Sequence, residues 1–223
     1  MNKIIEINKL TYRYSNEFVL YNLSLIIEKG EWITVIGPNG SGKSTLVKIL
    51  SGIIMTDNDI VINGCTLSKN NLKKIRKSLG IVFENPQNSF ICETVKEDIS
   101  LILRNLDYEE SKIEKRIKEI SELLNIQELL NKDSNNLSGG ESQKVAIACA
   151  LVHNPKILIL DEGFSMMDEK NKKEVLKIIN DIREKEHMTI INITHNLDEI
   201  FYSNRLVRSE ERRVGKECRS RWS

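Results

Sequence analysis

The sequence predicts an α/β fold with a mostly parallel central sheet that is covered by helices on both faces. Residues 157–160 form an unbroken apolar run, which is the pattern of a parallel strand buried on both sides. Segments with helical periodicity alternate with such strands along the chain, as in other folds of this class. The length of 223 residues is enough for one domain with a sizeable insert.

The individual elements follow from the apolar patterns between turn residues. Residues 4–14 and 19–27 alternate and are rich in β-branched and aromatic side chains, which predicts two strands. A short apolar run at 31–36 ends in glycine and predicts a buried strand that leads into a helix at 44–50. The other predicted elements are strands at 59–62, 80–83, 157–160 and 189–193, and helices at 72–77, 170–185 and 197–203.

Residues 93–150 interrupt this alternation with a helical character of their own. One long helix is predicted over 109–130 from apolar side chains at helical spacing, namely Ile113, Ile117, Ile120, Leu123 and Leu124. We interpret the charged residues between them as the solvated face of that helix. The sequence therefore predicts one domain over residues 1–207 with a helical insert at about 93–150.

Residues 208–223 differ abruptly from the rest of the chain because apolar periodicity stops at Val207 and the segment becomes basic. The segment matches, residue for residue, a translation of a widely used short-read sequencing adapter. Our hypothesis is that it is a non-native tail and that the domain before it is truncated at its C-terminal end. A basic arm that binds phosphates or lipid headgroups is the alternative interpretation.

Composition narrows the class of partners. The formal net charge of +1 offers no electrostatic footprint for nucleic acid, so no nucleic-acid partner is expected. The sequence contains no apolar run of about 18 residues, so no membrane-spanning helix is expected. The N-terminus lacks the apolar stretch of a secretory signal, and the four cysteines are widely spaced, which indicates reduced thiols in a cytosolic protein.

A glycine-rich loop between a predicted strand and a predicted helix has the pattern G-x-x-x-x-G-K-[ST] of a nucleotide-phosphate site. Gly40 and Gly42 allow backbone N–H groups to turn toward a phosphate, and the helix that follows adds its positive dipole end. Lys43 supplies a point charge to the β- and γ-phosphates, and the Ser44 hydroxyl is a candidate Mg²⁺ ligand. The predicted loop comprises Gly37, Pro38, Asn39, Gly40, Ser41, Gly42, Lys43, Ser44 and Thr45.

Polar residues at the ends of two predicted central strands complete a candidate catalytic site. Asp161 and Glu162 follow the apolar run at 157–160, at the edge where open α/β sheets bind ligands. We expect Asp161 to hold Mg²⁺ and Glu162 to orient or deprotonate an attacking water, although an Asp-Glu pair can also simply cap a helix. His195 follows the strand at 189–193, which predicts that it lies beside Glu162 within reach of a γ-phosphate.

The chain resembles the ATP-binding-cassette (ABC) ATPases over residues 4–207. The resemblance is carried by the ranges 37–45, 137–141, 157–162 and 166–168 together with His195. The resemblance implies a P-loop fold with an antiparallel β-subdomain and an inserted helical subdomain, and two cassettes that dimerise head to tail around two ATP molecules. It further implies that Ser138, Gly139 and Gly140 bind the γ-phosphate of ATP held by the partner, and that Asp168 links the two sites. Tyr14, or alternatively Tyr12, corresponds to the aromatic residue that stacks on adenine; a tyrosine in the core of a strand is the other interpretation.

Residues 83–90, 93–99 and 157–168 are similar to the ATPase subunits of energy-coupling-factor (ECF) transporters. That resemblance implies a second ATPase subunit, a transmembrane coupling subunit and a membrane substrate-binding subunit, which import vitamins or transition-metal ions. It also implies a peripheral position on the cytoplasmic face of the cell membrane. The ATPase of a conventional ABC importer and a soluble, non-transport ABC ATPase are the alternatives.

Three positions depart from the family pattern and concern the strength of the ATP site. Glu84 stands where glutamine is usual in the segment that approaches Mg²⁺, and it is a candidate metal ligand together with Ser44 and Asp161. Glu141 replaces the usual glutamine after Ser-Gly-Gly, and Lys144 replaces a common arginine. Because both glutamates bring negative charge toward triphosphate, the sequence leaves open whether the two ATP sites of a dimer hydrolyse ATP equally.

Overall fold

The computed structural model describes residues 2–15, 17–214 and 217–222. Its strands are β1 (Lys3–Tyr14), β2 (Glu17–Glu28), β3 (Trp32–Ile36), β4 (Ile60–Ile62), β5 (Cys65–Thr66), β6 (Leu79–Val82), β7 (Ile157–Asp161), β8 (Thr189–Ile193), β9 (Arg205–Val214) and β10 (Glu217–Trp222). Its helices are α1 (Lys43–Leu50), α2 (Leu72–Ser78), α3 (Val95–Asn105), α4 (Glu110–Leu123), α5 (Gly139–Leu151) and α6 (Glu169–Glu186).

The larger sheet has the order β10-β9-β3-β8-β7-β6, and all of its neighbouring strands run parallel except the β9–β10 pair. This confirms the predicted mostly parallel sheet. Side chains alternate across its central strands, so that Leu158 and Leu160 enter one hydrophobic cluster and Ile157 and Ile159 enter the other. Burial on both faces is why the strand reads as an uninterrupted apolar run.

The smaller sheet is antiparallel, with the order β2-β1-β4-β5. Its apolar face, which includes Ile5, Ile7 and Ile27, packs in the same cluster as α1 and one face of the central sheet. The second cluster joins the other face of the sheet to α3, α4, α5 and α6. The predicted strands at 4–14 and 19–27 thus belong to a β-subdomain and not to the central sheet.

The helical insert is divided into more elements than the sequence predicts. α3 begins at a capping box formed by Thr94 and Glu97. The single helix expected over 109–130 is wrong, because α4 ends at Leu123 and Asn125 has a left-handed φ of 54°. A 3₁₀ turn at Gln127–Leu129 follows, so the apolar periodicity continues through a break in the backbone.

The end of the chain also differs from expectation. The helix predicted at 197–203 is a 3₁₀ turn at Leu197–Tyr202, where the Asn196 side chain accepts a hydrogen bond from the Asp198 N–H at 2.9 Å. β9 pairs in parallel with β3 and continues into residues 208–214, which our hypothesis assigns to a non-native tail. Backbone pairing is open to nearly any sequence, so a non-native origin of residues 208–223 remains a hypothesis. Within the described residues, no helix combines the length and the apolar character needed to cross a membrane.

A buried carboxylate ties the helical insert to the segment that precedes it. Asp98 in α3 is 5% exposed, and its Oδ1 accepts hydrogen bonds from the N–H groups of Ile91 and Cys92 at 2.9 and 3.0 Å. Its Oδ2 accepts the Ser134 hydroxyl at 2.6 Å. One side chain therefore joins α3 to residues 91–92, which precede the insert, and to Ser134 within it.

We expect Asp98→Ala to lower the free energy of unfolding by about 2–3 kcal/mol, since it leaves buried donors without an acceptor. Urea denaturation of the full chain measures the effect. Glu114→Ala removes an exposed carboxylate that pairs with Lys96 on the surface of the same insert, and it should have a much smaller effect. Equal losses in the two variants would contradict the assigned role of Asp98.

Candidate functional site

The carboxyl ends of β3, β7 and β8 meet at one edge of the central sheet, next to a pocket of about 490 Å³. Parallel pairing produces this convergence, because the chain leaves every strand of such a sheet at the same edge. The lining residues are Val19, Asn39, Gly40, Gly42, Lys43, Ser44, Thr45, Glu84, Asp161, Glu162, Ser165 and His195. Residues far apart in the sequence are thus brought to one place.

The glycine-rich loop adopts a backbone that its glycines permit. Gly40 and Gly42 have φ values of 82° and 88°, in the left-handed region that favours glycine. A side chain at Gly42 would also lie 2.7 Å from the carbonyl oxygen of Val19, so this position requires the absence of a Cβ. The turn directs the N-terminus of α1 toward the pocket, where backbone N–H groups attract anions.

Lys43 is the buried cation of the pocket. Its Nζ donates to the carbonyl oxygens of Gly37 and Pro38 at 2.8 and 2.9 Å. Burial lowers the pKa of the Lys43 ammonium, while the carboxylates of Glu162, Asp161 and Glu84 act in the opposite direction. The ammonium is thus a cation held among carboxylates, at the mouth of a loop suited to phosphate.

Ser44, Asp161 and Glu84 provide oxygen donors on one side of the pocket. The Ser44 hydroxyl donates to Asp161 Oδ1 at 3.4 Å, and Glu84 lines the same wall. Burial raises the pKa of Asp161, and the negative charges of Glu84 and Glu162 add to this effect. This set fits Mg²⁺, which favours a few hard oxygen ligands beside substrate phosphates and water. Glu84, predicted from the sequence as a candidate metal ligand, lines the pocket.

Glu162 and His195 form a hydrogen-bonded pair at the ends of β7 and β8. His195 Nδ1 lies 3.0 Å from Glu162 Oε1 and 2.9 Å from Oε2, which is the adjacency predicted from the strand order. Glu162 has a φ of 55°, an uncommon conformation for a non-glycine residue that surrounding contacts must hold. The hydrogen bond and charge of Glu162 raise the pKa of His195.

Tyr14, the predicted adenine-stacking residue, is outside the set of residues that line the pocket. Its ring is 45% exposed and packs edge-on against Tyr12, with 5.1 Å between the ring centroids. It pairs with Glu17 at the closed end of the β1–β2 hairpin, only a few residues from the pocket residue Val19. The position is compatible with stacking at the pocket entrance, and the role of Tyr14 stays a prediction.

The turn Ser138–Gly140 begins α5 and is likewise outside the pocket lining. Ser138 and Glu141 form a capping box, in which Glu141 Oε2 accepts the Ser138 hydroxyl at 2.7 Å and the Ser138 N–H at 2.9 Å. Lys132 Nζ lies 3.0 Å from Glu141 Oε1. These contacts lower the pKa of Glu141 to about 2. The charge that the sequence placed near triphosphate is therefore already balanced by a local cation.

Sequence reasoning missed several residues around the site. Gln143 is fully buried in α5, and its side chain bonds to the segment that follows Glu162. Ser165 and Val19 line the pocket, and Lys132 neutralises Glu141. Gln143 stands in a polar stretch beside Ser142 and Lys144, so its sequence neighbours give no sign of its burial. The others depend on how distant segments pack.

His153 and His187, which the sequence gave no functional setting, lie outside the pocket lining. His153 is 8% exposed, and its Nε2 lies 3.1 Å from the carbonyl oxygen of Leu79. Burial lowers the pKa of His153. Asp168, expected to link two ATP sites, caps α6 by accepting the N–H groups of Lys170 and Asn171 at 3.0 Å.

Comparison with known proteins places these features in context. The family described as ABC transporter matches residues 20–165. The chain is 38% identical over 216 residues to the energy-coupling factor transporter ATP-binding protein EcfA1 of Latilactobacillus sakei subsp. sakei, covering 96% of this chain and 77% of that protein. It is 40% identical over 212 residues to the corresponding EcfA of Pediococcus pentosaceus, covering 93% and 75%.

Solved structures give the same picture. The chain is similar to cbiO1 from Clostridium perfringens, described as part of the ABC transporter complex cbiONQ, with a TM-score of 0.81 and 31% identity over 94% of this chain and 85% of that one. It is also similar to the dimeric bacterial cassette MJ0796, with a TM-score of 0.83 and 27% identity over 92% and 94% of the two chains. The predicted fold class is confirmed.

We expect the pKa of His195 to be raised by the Glu162 carboxylate. Following the His195 ring by NMR against pH, we expect titration above 6.5 in the wild-type chain and a return toward 6.5 in Glu162→Gln. Because the folded-state pKa is raised, the contribution of the pair to stability is full below the ordinary pKa and is lost as pH rises through the raised one.

Glu169→Gln is the matched control, because it removes an exposed carboxylate near the start of α6 and should leave the titration of His195 unchanged. The NMR signals of the His153 ring can be told from those of His195 because burial lowers the pKa of His153. A wild-type His195 that titrates at or below 6.5 would contradict the assigned hydrogen bond.

Proposed function

The chain belongs to the ABC transporter family, and we propose that it is the ATP-hydrolysing subunit that powers an importer of the energy-coupling factor type. The named relatives at 38% and 40% identity are ATP-binding proteins of such transporters, and they match nearly all of this chain. The cargo that this assignment implies is a vitamin or a transition-metal ion, recognised by another subunit.

The observation that carries the proposal is that the residues expected to bind ATP lie in two separate places of one chain. The phosphate loop, Asp161, Glu162 and His195 surround the pocket, whereas the turn at Ser138–Gly140 presents the N-terminus of α5 elsewhere. A second cassette placed head to tail would bring its own turn to this pocket. This chain's turn would then bind the γ-phosphate of ATP held by the partner, with N–H groups and a helix dipole suited to an anion.

Within the composite site, each residue has a task set by its position. Lys43 and the loop N–H groups bind the β- and γ-phosphates and neutralise charge as the transition state forms. Glu162 orients the attacking water and accepts its proton, and His195 holds the Glu162 carboxylate and reaches toward the γ-phosphate. The closing of two cassettes excludes bulk water and completes the site, and product release reopens it.

Ser44, Asp161 and Glu84 would hold Mg²⁺ through their oxygen atoms. The ion, when bound, supplies positive charge to the phosphate oxygens. A carboxylate at position 84 in place of an amide adds one negative charge to this wall, which Lys43 and the metal would offset. Tyr14 would stack on adenine at the pocket entrance.

A second cavity, of about 340 Å³, separates the central sheet from the helical insert. Its walls include Phe83, Phe90 and Ile91, and Ile91 is 77% exposed. Phe83 is adjacent in sequence to Glu84, so a segment seated in this groove would contact the same stretch that reaches the ATP pocket. We assign the groove to a cytoplasmic segment of the transmembrane coupling subunit, which would place the chain peripherally on the cytoplasmic face of the membrane.

Glu162→Gln should retain ATP and slow hydrolysis by about 100-fold or more, since a positioned general base contributes at least that factor. The variant is measured as steady-state ATP hydrolysis by the assembled transporter, together with ATP retained after rapid gel filtration. Glu169→Gln is the matched control at an exposed site and should hydrolyse ATP at the wild-type rate. Hydrolysis at the wild-type rate by the assembled Glu162→Gln variant would contradict the assignment of Glu162 as the general base.

Co-expression with the genes that neighbour this one tests the transport role. The chain should co-purify with a transmembrane coupling subunit and a small membrane substrate-binding subunit, and hydrolysis should accompany uptake in vesicles. Co-purification with the two-subunit membrane domain of a conventional importer would support that alternative. Activity without any membrane partner would favour a soluble ABC ATPase.

A further inference from the structure

The side chain of Gln143 lies between two turns that serve different ATP molecules. It is fully buried in the second turn of α5, where a polar group needs partners. Its Oε1 accepts the N–H of Met166 at 2.8 Å, and its Nε2 donates to the Ser165 hydroxyl at 3.1 Å and to the Glu162 carbonyl at 3.3 Å. Both ends of the amide are therefore bound to the segment that follows β7.

The first turn of α5 packs on that same segment. A Cβ built on Gly139 would lie 3.1 Å from the sulfur of Met166, and one built on Gly140 would lie 3.4 Å from the Met166 carbonyl oxygen. A side chain at Gly139 would require Met166 to move by a few tenths of an ångström, whereas one at Gly140 would make an ordinary contact. The Ser138–Gly140 turn and the Glu162–Met166 turn are thus in contact on one side and joined by Gln143 on the other.

The backbone of Glu162 depends on external contacts because its φ of 55° is unfavourable. Its N–H donates to the Ile193 carbonyl at 2.9 Å, and its carbonyl oxygen accepts from the Ser165 N–H at 3.1 Å and from Gln143 Nε2 at 3.3 Å. These three bonds hold the main chain on either side of the Glu162 side chain. Of the three, the bond from Gln143 comes from α5, so a movement of that helix acts directly on the backbone of Glu162.

We propose that Gln143 is a positioning residue that couples the turn Ser138–Gly140 to Glu162 of the same chain. The inference rests on the proposed function, in which that turn contacts the partner's ATP while Glu162 acts on the ATP of its own chain. Closure onto one nucleotide is then transmitted through the buried amide to the carboxylate at the other. The two sites of the dimer are linked within each chain as well as across the interface.

Gln143→Met tests the coupling because it keeps the length and volume of the side chain and removes its three hydrogen bonds. In the full chain, hydrogen–deuterium exchange of the amides at residues 163–167 should accelerate by about fivefold or more, since the Met166 N–H loses its acceptor. In the assembled ATPase, kcat should fall by about tenfold while KM for ATP changes less than about twofold, as expected for misplaced catalytic geometry.

Gln127→Leu is the control, a similar loss of an amide at an exposed position of the same insert. It should change neither exchange at 163–167 nor kcat. Ser165→Ala removes one of the three partners and should accelerate exchange less than Gln143→Met does, which keeps the test decisive if Gln143→Met folds poorly.

Two results would overturn the inference. One is unchanged exchange at residues 163–167 in both variants, and the other is accelerated exchange with an unchanged kcat. If the unsubstituted assembly hydrolyses no ATP, the proposed function fails first, and the exchange data then report only whether Gln143 holds the turn. A comparable fall in kcat in Gln127→Leu would assign the effect to general destabilisation and would reject the coupling.

Discussion

Parallel pairing of β3, β7 and β8 is the constraint on which the rest of the molecule depends. Because these strands point the same way, the phosphate loop, the Asp161–Glu162 pair and His195 all emerge at one edge of the sheet. These strands are buried on both faces, as their apolar runs require. The chemistry of the pocket is therefore set by the packing of residues that never touch a nucleotide.

The same packing buries charged side chains whose charges a bound nucleotide and metal ion can balance. Lys43, Asp161 and Glu84 line the same partly desolvated pocket. Burial lowers the pKa of Lys43 and raises the pKa of Asp161, which in both cases favours the neutral form. Glu141, by contrast, keeps its charge at the surface because Ser138 and Lys132 satisfy it. The two glutamates that depart from the family pattern thus have different consequences: Glu84 acts on this chain's pocket, while Glu141 is balanced within its own helix cap.

Two helix N-termini belong to the proposed ATP sites, and the turn after β7 connects them. α1 opens onto the pocket, and α5 opens onto a separate face where a partner's nucleotide would lie. Gln143 and the close approach of Gly139 to Met166 join the second of these to Glu162. A head-to-tail dimer built from such chains would therefore carry a physical connection between its two ATP sites inside every subunit.

The sequence by itself determined the fold class and the position of the phosphate loop, Asp161, Glu162 and His195 at one edge of the sheet, because these depend on local patterns and on strand order. It did not determine the break after α4, where Asn125 overrides an unbroken apolar periodicity, or the short 3₁₀ turn after His195. Lys132 and Gln143 were also beyond it. Their partners lie 9 and 19–23 residues away and are selected by how α5 packs. Only the tertiary structure decides such contacts, because a hydrogen bond between distant segments leaves no periodic trace in the chain.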